Sequence, residues 1–295
     1  MPHSIPLPAN YRADEVLAFH GRDPSQLAER LGEGVLRKGL MFDGKPAMLT
    51  IALTEHEARH ALDIDGAGDD DTSAVQADAI VRHMLGLHLQ PEPFEESVAD
   101  DALLGAVVRR QRGLRIPQTA TAFEALTWAI IGQQIGLGFA ITLRRRLIES
   151  GGARHSSGLA CYPGASEVAR MSADALGQLQ FSRAKSEALI RVARLVEDGK
   201  LDLPSLAMAE PEVVFEVLTA IKGIGPWTAN YVLMRGLGAV DCSLHGDAAV
   251  RAAIVRITGH AHKLDQAEAQ RVLAQYSPWR SLAAAHLWAS HLLPA

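Results

Sequence analysis

Cysteine is scarce in this chain: 295 residues hold only Cys161 and Cys242. Two thiols are too few for a disulfide framework, a four-cysteine zinc site or an iron–sulfur cluster. Their scarcity points to a reducing, cytoplasmic compartment. No apolar run approaches the roughly 18 residues of a membrane helix. The N-terminal segment also lacks a basic patch followed by an apolar stretch, so neither a membrane span nor a secretory leader is expected. Aromatic residues make up only 5% of the chain, which makes their clustering informative. A basic surplus is missing as well, since 29 Lys and Arg against 34 Asp and Glu leave a net charge of −5. Taken whole, that charge disfavours a polyanionic partner.

The distribution of charge reverses the impression. Residues 1–101 carry 19 acidic and 8 basic side chains, whereas residues 102–295 carry 15 and 21. The balances are −11 and +6, so one part of the chain suits a polyanion and the other does not. With 48% hydrophobic residues the chain is an ordinary globular protein.

The first hundred residues read as mixed α/β. The pattern predicts a helix over 12–31, strands over 35–42, 47–53 and 58–64, and a helix over 74–86. Asp43-Gly44 marks a tight turn between the first two strands. The run Gly66–Ser73, with Asp69, Asp70 and Asp71, reads as a solvated loop and helix N-cap rather than a cation site. After Pro91 and Pro93 the pattern is helical, with helices expected over 98–110, 119–134, 137–150, 173–178, 183–198, 211–220, 226–235, 247–257, 266–275 and 279–292. Pro117 and the Gly/Ser/Pro-rich stretch 151–164 break this region as a linker and a loop.

His56-Glu57-Ala58-Arg59-His60 spells H-E-x-x-H, the zinc-protease signature, which needs both histidines on one helical turn. Alternation over 58–65 favours a strand instead, and no spacing singles out a third ligand. A zinc hydrolase is therefore the runner-up from a different class, and no metal centre is expected.

The informative segment is 211–250. A helix opening at Pro211 carries Val214, Val217 and Leu218 on one face. Lys222-Gly223-Ile224-Gly225 then makes a turn whose glycines permit positive φ, and Pro226 suits the first position of a second helix. Such a hairpin leaves the N–H groups of Gly223, Gly225 and Trp227 facing outward beside a helix N-terminus, where a phosphate fits.

Leu218–Tyr231 resembles the helix-hairpin-helix of the DNA glycosylase superfamily. The resemblance narrows to the 3-methyladenine DNA glycosylase II (AlkA) type through Phe19, Gly113–Pro117, Trp128–Gln134, Arg183–Ile190, Pro278-Trp279-Arg280 and His286-Leu287-Trp288. It implies an α+β, mostly helical chain: an N-terminal antiparallel α/β domain like the TATA-binding protein, and two helical domains with the active-site cleft between them. The implied boundaries are 1–97, 116–231 for the central domain with the hairpin, and 98–115 with 232–295 for the second helical domain. The family's aspartate matches Asp247, 22 positions beyond Gly225, with Asp241 as the competing carboxylate. From its residues alone, Asp247 reads as the N-cap of the following helix.

What the resemblance implies is a monofunctional, monomeric enzyme of base excision repair, acting on double-stranded DNA with damaged bases. A base such as 3-methyladenine would be flipped out and its N-glycosidic bond hydrolysed beside Asp247. Phe19, Trp227, Tyr231 and Trp288 would form a pocket for a flat cation, while Trp128 and Trp279 read as core. Bifunctional relatives carry a lysine where this chain has Trp227, so no Schiff base and no strand cleavage are expected. Gln134, Gly223, Gly225 and Thr228 would contact the DNA. Gln134 departs from the leucine that commonly fills the gap left by the base, and Ala248-Ala249 stand where bulkier residues line the pocket. No cofactor is implied beyond a monovalent cation held by the carbonyls of Thr219, Ile221 and Ile224. A non-catalytic lesion sensor built on the same hairpin is the remaining alternative.

Overall fold

The computed structural model describes residues 3–67 and 71–290. Asp69 and Asp70 of the expected solvated loop lie outside the described residues. The N-terminal part contains β1 (His3–Pro6), α1 (Ala13–His20), β2 (Glu29–Gly32), β3 (Val35–Phe42), β4 (Lys45–Leu53), β5 (Glu57–Ile64) and α2 (Asp71–Met84). The rest is helical: α3 (Glu92–Ser97), α4 (Gly105–Arg110), α5 (Ala122–Gly132), α6 (Leu137–Gly151), α7 (Ala165–Ala169), α8 (Ala173–Gln178) and α9 (Arg183–Glu197). They are followed by α10 (Leu203–Leu206), α11 (Pro211–Thr219), α12 (Pro226–Gly236), α13 (Ala248–Thr258), α14 (Gln266–Ala274) and α15 (Arg280–Ala289).

The five strands form one antiparallel sheet in the order β1-β5-β4-β3-β2. Ile5, Leu36, Leu49 and Ile51 pack with Val81 and Met84 of α2 into one core. A larger core joins α5, α9, α12, α13 and α15. Asp43 and Gly44 take φ of 46° and 74°, the doubly left-handed turn expected between β3 and β4.

Part of the sequence reading is corrected. The helix expected over 12–31 ends at His20, and Glu29–Gly32 is an edge strand with Leu31 opposite Leu36. The break is local, because Asp23 precedes a proline and its carboxylate accepts the Ser25 N–H at 3.0 Å, closing a turn. The helix expected from residue 98 starts at Gly105, because Asp101 Oδ1 takes the N–H groups of Leu103 and Leu104 at 3.0 and 2.7 Å. The 151–164 stretch is more than a loop. Gly39 approaches Ala160 so closely that a Cβ there would lie 2.1 Å from its carbonyl oxygen, and Tyr162 N–H donates to Gly39 O at 3.0 Å.

The zinc motif does not survive. Glu57 and His60 lie on β5, where residues three apart face opposite sides and cannot converge as they would on a helix. Ser4 holds Glu57 at 2.6 Å, while His60 stacks on His3 and faces Asp78 at 3.3 Å.

A charged cluster joins the sheet to the helices. Lys38 sits between Leu36 and Leu40 on the buried face of β3, fully enclosed. It reaches Glu29 on β2 at 2.6 Å and Glu124 on α5 at 2.9 Å. Arg144 on α6 holds the same two acids, with Nη1 to Glu29 Oε2 at 3.0 Å and Nη2 to Glu124 Oε1 at 3.1 Å. Two cations meet two anions, so no charge is left buried and alone.

Candidate active site

The hairpin of α11 and α12 forms as its sequence requires. Pro211 and Pro226 stand in the first turns of the two helices, where a missing N–H costs nothing. Only Gly223 is left-handed, at φ 101°, and a Cβ there would press on Ala188 Cβ at 3.0 Å. Gly225 is the extended N-cap of α12, with nothing within 4 Å of the position a Cβ would take. The expectation that both glycines supply positive φ is thus corrected; the second one keeps space clear. Among the described residues the N–H groups of Gly223, Gly225 and Trp227 have no acceptor.

Behind the turn, Arg191 donates to Lys222 O at 2.9 Å. Gln133 donates to Gly223 O and to Thr228 Oγ1, both at 2.9 Å. Thr228, expected to contact the DNA, is instead buried as a strut behind the turn, at 1% exposure. The loop after α5 is further tied by Lys185, whose ammonium donates to the carbonyls of Ile131 at 3.0 Å and Gln133 at 2.5 Å. Gln134 follows, exposed and left-handed at φ 57°. Of the carbonyls expected to hold a cation, Ile221 O already accepts the Ile224 N–H at 3.0 Å, while those of Thr219 and Ile224 accept nothing among the described residues.

Asp247 caps α13, as its sequence context predicts. Its Oδ1 accepts the N–H groups of Ala249 and Val250 at 2.9 Å each, and the indole N–H of Trp288 at 3.0 Å. Its Oδ2 accepts a single bond, from the Trp227 indole at 3.0 Å. All four partners are donors, which suits an ionised carboxylate. The uneven sharing leaves lone-pair capacity on Oδ2. Arg251 steadies the approach by donating to His245 O and Gly246 O at 3.3 and 3.0 Å. Asp241 is occupied elsewhere, clamped by Arg280 at 2.6 and 2.9 Å and by Ser277 at 2.8 Å.

The four expected pocket aromatics come together. Tyr231 lies 5.6 Å from Trp227 and 6.3 Å from Trp288, between ring centroids. Phe19, on α1, joins through an arginine the sequence reading missed. The Arg235 guanidinium stands 4.6 Å from Phe19 and 5.0 Å from Trp288. A second one, Arg22, is layered between Phe19 at 4.2 Å and Trp128 at 4.3 Å. Trp128 is buried as expected, at 6% exposure, but it also floors this stack. Arg235 donates to Pro117 O at 2.6 Å, and burial pushes its pKa down to about 10. Arg22 donates to no acceptor and pairs with no carboxylate among the described residues. Phe19 and Trp288 thus already meet cations, whereas no cation is layered on Trp227 or Tyr231 among the described residues. Arg235 was findable, four positions beyond Tyr231 on one helix face. Gln133 was not, because its partners Gly223 and Thr228 are distant in sequence, and Arg22 was not, because it lies past the end of α1 and its second ring, Trp128, is distant.

Comparison with known proteins finds likenesses of sequence and of fold. A model of the AlkA N-terminal domain matches residues 4–121. The DNA-3-methyladenine glycosylase of Bacillus subtilis is 32% identical over 199 residues, covering 66% of this chain and 66% of that protein, just under two thirds of its length. DNA-3-methyladenine glycosylase 2 of Escherichia coli is 29% identical over 233 residues, 78% of this chain and 77% of that one. Among solved structures, the 3-methyladenine DNA-glycosylase of Archaeoglobus fulgidus aligns with a TM-score of 0.84 over 99% of this chain and 98% of its own, at 20% identity. That likeness is one of fold.

Proposed function

We infer the activity from one premise: the chain belongs to the AlkA-type DNA glycosylases of the helix-hairpin-helix superfamily. It excises alkylated purines from double-stranded DNA, hydrolysing the N-glycosidic bond and leaving an abasic site. The hairpin amides of Gly223, Gly225 and Trp227 take a backbone phosphate, and Gln134 stands at the gap left by the flipped nucleotide. The base lies against Trp227 and Tyr231. A monovalent cation on the carbonyls of Thr219 and Ile224, with Ile221, would add positive charge behind the hairpin. The chain works as a monomer in the compartment that holds the DNA. No helix among the described residues is long and apolar enough to cross a membrane.

The observation that carries this reading is the seat of Asp247. A carboxylate with four N–H donors is held rigidly, while Oδ2 keeps a lone pair for charge developing at the sugar C1′. As the base departs, the sugar takes on oxocarbenium character, and the carboxylate stabilises it and aligns the attacking water. No amine is needed, and Trp227 supplies none. Its indole positions the carboxylate instead, so the enzyme does not cut the strand.

Incubation with methylated duplex DNA tests the activity. Free 3-methyladenine or 7-methylguanine should appear, strand breaks should follow only after alkali or heat, and borohydride should trap no protein on DNA. Tight binding of damaged duplex without base release would make the protein a lesion sensor and overturn the enzymatic reading.

A further inference from the structure

The loop that presents Gln134 runs into an apolar turn that base excision at Asp247 does not account for. Gly136, Leu137, Gly138 and Phe139, the N-cap and first three residues of α6, are all exposed. Leu137 is 63% exposed and Phe139 42%. Leucine and phenylalanine are ordinarily core residues, and two on one exposed turn, on its opposite flanks, make an apolar tip with two sides. The turn is not loosely held. The Lys185 ammonium fixes the carbonyls just before it, Gln133 ties it to the hairpin at Gly223 and Thr228, and Thr142 donates to Gly138 O at 3.0 Å. The tip is therefore continuous with the hairpin and moves with it.

Gln134, three positions before Leu137, is polar. It can hydrogen-bond the edge of an orphaned base, but it is a poor substitute for the apolar surface lost when a base leaves the stack. Leu137 and Phe139 hold that surface next door. We propose that the first turn of α6 enters the minor groove with Gln134, so that the wedge is divided: Gln134 addresses the unpaired base while Leu137 and Phe139 cover the uncovered base and sugar faces. The inference rests on the glycosylase reading of the same site, and a wild-type chain that neither binds an abasic duplex nor releases methylated bases would sink both together.

Leu137→Ala, Phe139→Ala and the double variant test it against Met208→Ala, where an exposed methionine on another part of the chain is 90% exposed. Alanine suits the start of a helix, so melting temperatures should not fall. Binding to an abasic-site duplex should weaken at least about tenfold in the double variant. The slope of affinity against salt should stay unchanged, because an apolar contact releases no counterions. Base release should fall for duplex substrate and much less for single-stranded substrate, which has no stack to fill. Met208→Ala should behave as wild type. Affinity within twofold of wild type in the double variant would overturn the inference. So would a wild-type dimer that these substitutions dissociate, since the turn would then be a contact between copies of the chain.

Discussion

Trp227 donates its indole N–H to Oδ2 of Asp247 at 3.0 Å, so the residue that closes the hairpin also aims the carboxylate. This link changes what Asp247→Asn does. An asparagine can still cap α13 through its oxygen, but its NH2 would face the Trp227 N–H, donor against donor. Stability should drop by about 1–3 kcal/mol, the usual cost of stranding a polar group. Excision should fall by about 10²–10³ once the charge is gone. Asp241→Asn should also destabilise, by loosening Arg280, yet retain base release per folded molecule. A melting curve beside a single-turnover assay separates the two. Near-normal excision in folded Asp247→Asn would remove this residue from the chemistry.

The two hairpin glycines make a matched pair of variants. Gly225→Ala meets open space and an extended backbone, so the melting temperature should stay put while affinity for duplex DNA falls, because the methyl obstructs the phosphate. Gly223→Ala puts a side chain at φ 101° against Ala188, and should lose about 1 kcal/mol or more of stability besides. Unchanged DNA affinity in Gly225→Ala would take the turn out of the interface.

Arg22 offers a test of base selection. At an effective dielectric of about 20, two like charges about 8 Å apart repel by ~2 kcal/mol, so a guanidinium among the pocket rings opposes a cationic base. Arg22→Ala should therefore raise release of cationic 7-methylguanine relative to neutral hypoxanthine by about tenfold or more. A ratio that does not move would show that the guanidinium only braces Phe19 and Trp128.

Acid should destabilise the fold through histidines that are buried uncharged. Burial, with the nearby Lys38 charge, drives the pKa of His20 down to about 3, and burial drives that of His286 to about 3 as well. The unfolded chain protonates these groups near 6.5 and the folded chain does not, so stability is complete above that pH and declines as pH falls from it towards 3. Each contributes about 1.4 kcal/mol per pH unit in that window. Urea midpoints at pH 7.5, 6.5 and 5.5 should fall accordingly, with a shallower slope in His286→Gln. A flat profile would mean that these rings take up protons without unfolding.

The charged cluster under the sheet gives a prediction about stability alone. Lys38→Met leaves Glu29 and Glu124 facing each other with only Arg144 between them, and should cost about 3–5 kcal/mol. Base release per folded molecule should persist, because Lys38 touches none of the pocket aromatics named above.

The parts of the molecule that were legible in the sequence are those with short-range causes. Pro211, Pro226 and the 222–225 turn announce the hairpin, Asp43-Gly44 announces its turn, and Asp247 before an alanine-rich run announces a cap. The edge strand at 29–32 was illegible because its single apolar side chain, Leu31, sets no period that separates a strand from a helix. Only pairing with β3 and the Asp23-Pro24 turn decide the matter. The aromatics of the pocket could be named, and Arg235 follows from its helical spacing to Tyr231, but Arg22 between Phe19 and Trp128 could not. A stack of Trp128, Arg22, Phe19, Arg235 and Trp288 draws on four helices and a loop.

The cluster of Glu29, Lys38, Glu124 and Arg144 also bears on how such a chain can be taken apart. Glu29 and Lys38 belong to the sheet, and Glu124 and Arg144 to the helices. A cut between the two regions would leave one acid and one base on each side, already in reach of one another. Within this cluster neither fragment would be left with an unmatched ion, whereas the Asp23–Arg145 pair, which also crosses, would be split. At the cluster the seam is neutral from both directions, and a chimaera that exchanges the sheet of one chain for that of another needs there only to keep one acid and one base on each lip.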